Sequence, residues 1–206
     1  MVLKKTSLIG LSSVIAMAIG VTFNKLLATQ YPYEYFGQIG VIKSYATTIM
    51  SVVLLGLNYS YFFLHQEMVE KTPLANQHFM SRGALYLIVN SLIILFVLWL
   101  AHFYIDLYPV LLISFLIALN VALPKIFMQN DTLNSNFKRY PFYLSIQGLL
   151  LLSGLAVSQL FELDLFFSIL VINIILLLIQ LLFFSIYLFR VSFKETISQL
   201  PKFYSK

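Results

Sequence analysis

Six stretches of this chain are predominantly apolar: 7–29, 37–63, 83–105, 110–128, 142–161 and 165–189. Each approaches or exceeds the roughly 20 residues of helix needed to cross a hydrocarbon core about 30 Å thick. Turn-forming residues stand between them, at Tyr31-Pro32-Tyr33, Lys71-Thr72-Pro73, Tyr108-Pro109 and Arg139-Tyr140-Pro141. A membrane barrel would instead show strands of about ten residues with polar and apolar positions alternating. No such alternation runs through 165–179, so the pattern predicts six membrane-spanning helices.

Composition agrees. Of 206 residues, 60% are hydrophobic and only 10% charged, against roughly a quarter charged in soluble domains. Too little polar surface remains to coat a water-exposed body. Intrinsic disorder is excluded by the same balance, because its mark is low hydrophobicity. With no cysteine in the chain, disulfide scaffolds, thiolate metal sites and thiol catalysis are excluded too. A net charge of +5 would suggest nucleic acid in a soluble protein. Here it reads as basic loops held on one side of a membrane, with no nucleic-acid partner.

The placement of charge sets the expected topology. With both termini cytoplasmic, the inner segments hold Lys4 and Lys5, Lys71 and Arg82, Lys125, Lys138 and Arg139, then Arg190, Lys194, Lys202 and Lys206: eleven of the 13 basic residues. The outer segments hold Glu34, Asp106, Glu162 and Asp164 and no Lys or Arg. Basic loops stay inside, so the expectation is one all-α bundle over 1–190 with both ends in the cytoplasm, and a basic tail over 191–206 resting on the anionic inner leaflet. The first span follows Lys4-Lys5 like a signal peptide, but it is longer than the usual 7–15-residue apolar region, so it reads as an uncleaved helix. The outer loops are too short for an extracytoplasmic domain.

Two basic residues remain, Lys25 and Lys43, each about nine residues from the middle of the first outer loop. A lysine at the centre of a span costs about 2.5–3.5 kcal/mol to insert. Two readings compete: the long stems snorkel to the outer headgroups, or the ammonium groups face an anion, an acid or water inside the bundle. At about 100° per residue, Thr47, Ser51, Asn58 and Tyr61 fall within about 80° of Lys43, forming one polar stripe along the second span. Serine and threonine can bond their own backbone, so Lys43 and Asn58 carry more of this argument. Ser12, Ala16 and Gly20 form a row of small residues suited to close helix contact. The amides Asn90, Asn120, Gln147, Asn173 and Gln180 read as interhelical hydrogen-bonding groups, and Pro124 as a bend or end of the fourth span.

Catalytic signatures are missing: no nucleophile elbow, phosphate loop or zincin helix occurs, and His65, His78 and His102 lack a metal-ligand spacing. The acids are scattered, so no carboxylate pair can be placed. The expectation is a non-enzyme with no cofactor and no metal.

The segment Asn24-Lys25-Leu26-Leu27-Ala28, then Tyr35-Phe36-Gly37-Gln38-Ile39-Gly40 and Gly56-Leu57-Asn58, resembles the first two helices of Wzx-type polysaccharide flippases of the MATE/MOP superfamily. Lys43 matches the basic residue common early in their second helix. The family's loop Gly-Pro is replaced here by Tyr31-Pro32-Tyr33-Glu34, and the likeness covers about the first 65 residues.

The resemblance implies transfer of undecaprenyl-pyrophosphate-linked oligosaccharide across the bacterial inner membrane, between two pseudo-symmetric six-helix bundles. It further implies substrate contact through Lys43 and Lys25, with Asn58, Thr47 and Ser51 beside them, and membrane lipid as the surroundings. The chain corresponds to one such bundle, so the expectation includes a truncated product, a fragment, or a half paired with a second six-helix half. Alternatives are a non-transporting six-helix remnant and another exporter of the superfamily. A drug/cation antiporter ranks lower because it would favour membrane-buried acids, and a membrane enzyme lower because it needs large outer loops.

Overall fold

The computed structural model describes residues 2–54, 75–103, 108–133 and 140–189. Over these the chain is all-helical, with six helices: α1 (Val2–Gln30), α2 (Tyr33–Leu54), α3 (Ala75–Ala101), α4 (Tyr108–Leu133), α5 (Tyr140–Phe161) and α6 (Leu165–Phe189). Each expected span falls on one of them. Residues 55–63 of the second span and 104–105 of the third lie outside the described residues, as do Asn58, Tyr61 and the tail 191–206.

Four helices contain segments long and apolar enough to cross a membrane: Ile9–Gln30, Pro109–Ile126, Tyr143–Phe161 and Leu165–Leu182. The apolar part of α3, Leu85–Leu100, is shorter. The apolar run predicted for the second span is described only as far as Leu54, and that part carries Lys43. The helices also continue past the apolar runs that predict them. α4 is an example: Pro124 does not end it, and the helix reaches Leu133.

α4 forms the axis of the bundle and packs against α2, α3, α5 and α6, while α1 packs chiefly on α5 and only lightly on α2. Burial follows from this placement. Every residue from Ile113 to Pro124 is buried. One core cluster joins Phe23, Ile39, Ile42, Ile117, Leu151 and Ile169, and a second joins Val53, Leu87, Leu98, Phe115, Leu119 and Ile126. The perimeter is apolar as well. Met17 and Val21 on α1, Leu92 and Phe96 on α3, and Leu178 and Leu182 on α6 are all exposed. An exterior as oily as the interior suits a helix bundle in lipid, where each helix satisfies its own backbone polar groups.

At one end of the bundle, the α1–α2 turn is fastened to the α5–α6 turn. The Tyr31 hydroxyl is hydrogen-bonded to the Ser158 hydroxyl, and the Tyr35 ring stacks on Phe166 with centroids 5.3 Å apart. The α5–α6 turn is itself tightly specified. Glu162 takes a left-handed φ of 54°, and the Leu163 N–H donates back to the Ser158 carbonyl at 3.1 Å, a Schellman-type helix end. Asp164 then caps α6 by accepting the Phe167 N–H at 3.0 Å.

Close packing uses glycines of α5. A methyl group on Gly154 would stand 2.6 Å from Ile169 Cγ1 and 3.0 Å from its Cα, so α5 and α6 approach at backbone distance. On α1 the small-residue row is only partly used. Ser12 is buried, but a methyl on Gly20 would meet nothing within 4 Å. The tight contact is instead Ile19 against Gly148.

Candidate functional site

Lys43 lies ten positions into α2, about 15 Å along the axis at 1.5 Å per residue. Its ammonium group donates to Asn24 Oδ1 at 3.3 Å and sits 4.7 Å from the centroid of the Phe23 ring. Phe23 is buried and Asn24 exposed, so the lysine stands at the lip of the shallow α1–α2 contact, half-buried. Both partners are neutral. The ring face attracts the cation through its quadrupole and the amide oxygen accepts one of three N–H donors. Among the described residues Lys43 forms no ion pair, and two donors remain for an anion or water.

Lys25 is placed differently. It is exposed, one residue and about 100° around α1 from Asn24, and its ammonium group has no partner among the described residues. The structure thus gathers Lys43, Asn24 and Phe23 into one contact, with Lys25 beside it rather than in it. Sequence reasoning missed Phe23 and Asn24 as the company of Lys43. The adjacency of Asn24 to Lys25 was visible, but the crossing of α1 and α2 that selects it was not.

Thr47 and Ser51 continue the face below Lys43, both exposed. Their hydroxyls turn inward to their own helix: Thr47 Oγ1 donates to the Lys43 carbonyl at 2.9 Å and Ser51 Oγ to the Thr47 carbonyl at 2.9 Å. Thr48 does the same with Ser44. Hydroxyls satisfied this way can face lipid or water alike, so polarity that requires a partner is concentrated at Lys43. Thr47 also borders a slot of about 10 Å³ between α2, α4 and α5, lined by Ala46, Met50, Val121 and Gln147 among others. This is room for a single water at most.

Asn90, Asn120, Asn173 and Gln180 link helices to one another as expected, whereas Gln147 shows no such bond among the described residues. Asn90 Nδ2 donates to the Val53 carbonyl at 3.1 Å, joining α3 to α2. Asn120 Nδ2 donates to the carbonyl and the side-chain oxygen of Asn173, at 2.9 and 3.0 Å. Gln180 Nε2 donates to the Asn120 carbonyl at 3.2 Å. Gln147 is half-buried beside the slot. Among the described residues no group of three His, Asp or Glu side chains could hold a metal ion.

Fold and site together define an all-helical bundle of membrane-protein type with a half-buried, unpaired cation on its second helix. No protein-family model, curated protein or solved structure matches the chain.

Proposed function

We propose that the protein takes part in translocating an undecaprenyl-pyrophosphate-linked oligosaccharide across the bacterial inner membrane, as a six-helix bundle with both termini in the cytoplasm. Lys43 is the principal contact to the anionic diphosphate and Lys25 a secondary one, with Thr47, Ser51 and Asn58 along the same face. A glycan diphosphate cannot cross hydrocarbon unaided, and an anion beside Lys43 offsets the cost of holding that charge within a span. The observation that carries this reading is the Lys43 ammonium held by Phe23 and Asn24 with no acid opposite it among the described residues. A second six-helix half facing α1 and α2 would complete a substrate path, in the rocking-bundle manner of alternating-access transporters.

One observation favours a second reading, a six-helix membrane bundle that transports nothing. The Thr47 and Ser51 hydroxyls are bonded to their own helix and need no wet cavity. The test is export of lipid-linked glycan in cells carrying Lys43→Ala. Impaired surface glycan with the variant still present in the membrane supports translocation through this site. Normal export by a stably inserted variant removes Lys43 from it.

A further inference from the structure

The amide network between α4 and α6 is fixed in orientation and is left with acceptors to spare. Asn173 Nδ2 donates to the Ile169 carbonyl at 2.8 Å. Asn120 Nδ2 donates to two oxygens of Asn173 and Gln180 Nε2 to the Asn120 carbonyl. Turning any of these three amides over would set oxygen against oxygen, so no flip satisfies the network. Left over in this network are Asn120 Oδ1 and Gln180 Oε1, both buried and both without a donor among the described residues. Asn120 itself is fully enclosed, at 0% exposure. A buried acceptor left unmet costs roughly 1–3 kcal/mol. A small donor such as water would meet both acceptors.

We propose that Asn120 Oδ1 and Gln180 Oε1 accept hydrogen bonds from internal water held in the α4–α6 seam. Pro124, which has no N–H, frees the Asn120 carbonyl at the same level, and Gln180 Nε2 already donates to it, so the two side-chain oxygens are the acceptors left for water. A metal cation fits the two oxygens less well. The described acids Glu34, Asp131, Glu162 and Asp164 lie at helix ends or turns, and an uncompensated charge amid the spans is costly.

Water-edited solid-state NMR on the full chain in lipid bilayers, with Asn and Gln labelled, tests this. Magnetisation from water should reach the Asn120 and Gln180 side-chain amides well before the backbone amides of the flanking turns, such as Ile117. In Gln180→Met, the Asn120 signal should build up several-fold more slowly. Absence of early water transfer at Asn120 in the wild-type protein overturns the site, and that reading decides alone if the variant does not fold. A shift of the Asn120 and Gln180 side-chain carbonyl resonances when choline is replaced by sodium would show a bound cation instead, and equally overturns the water.

Discussion

The side-chain amide of Gln180 donates to the backbone carbonyl of Asn120 across the α4–α6 seam, at 3.2 Å. That carbonyl lies four residues before Pro124, and it is the one carbonyl in α4 whose helical donor a proline there deletes. Gln180 therefore replaces, from another helix, the hydrogen bond that Pro124 removes. This allows α4 to run unbroken to Leu133 at the centre of the bundle, and it explains why a glutamine stands in the otherwise apolar stretch 174–184 of α6.

This relationship predicts coupling between two residues that need not touch. Gln180→Leu should lower stability by about 0.6–1.7 kcal/mol, from the average to the largest contribution of interhelical hydrogen bonds in membrane proteins. In a Pro124→Ala background the carbonyl regains its own N–H donor, and most of that loss should disappear. Unfolding in mixed micelles of the two single variants and the double variant measures the coupling. Additive losses would show that Gln180 acts elsewhere.

The glycines of α5 should differ in tolerance. Gly154→Ala brings a methyl against the Ile169 backbone, which cannot turn aside, and should cost about 1–3 kcal/mol as an overpacked contact. Gly148→Ala meets only the Ile19 side chain, at 2.9 Å, whose methyl can rotate away. It should cost clearly less in the same unfolding assay.

Glu162 holds a left-handed backbone, at φ 54°, where a residue with a Cβ is strained by roughly 1–2 kcal/mol. Glu162→Gly should leave the melting temperature unchanged or raise it, since glycine's extra unfolded-state entropy offsets part of the relief. Glu162→Val should lower it, because β-branching makes this conformation worse. A melting series over the three residues separates backbone strain from loss of the carboxylate.

Much of the architecture was legible in the sequence because lipid leaves few solutions: long apolar runs with punctuated ends become helices. Each of the six runs falls on one of the six described helices, and the role of Asn90, Asn120, Asn173 and Gln180 as links between helices followed from amides in apolar surroundings. What those amides bind was less legible. The distance from Asn120 to Pro124 was in plain view, yet only the packing of α6 on α4 shows that Gln180 reaches the freed carbonyl. The small-residue row on α1 pointed to a close contact, but the glycine that makes it belongs to α5. At the candidate site, the helical period placed Lys43, Thr47 and Ser51 on one face. It could not show that two hydroxyls bond back to α2, nor that Phe23 and Asn24 rather than Lys25 meet Lys43. Those facts depend on side-chain rotamers and on the α1–α2 crossing, which helical period alone does not encode.

Affinity for undecaprenyl diphosphate, measured on the full protein in nanodiscs against the uncharged alcohol, tests the role of Lys43 most directly. A hydrogen bond to a charged group contributes about 1.5–3 kcal/mol, so Lys43→Ala should weaken diphosphate binding by about tenfold or more, leave the alcohol unaffected, and be partly rescued by Lys43→Arg. Equal diphosphate affinity in the wild-type and Lys43→Ala proteins would contradict the account.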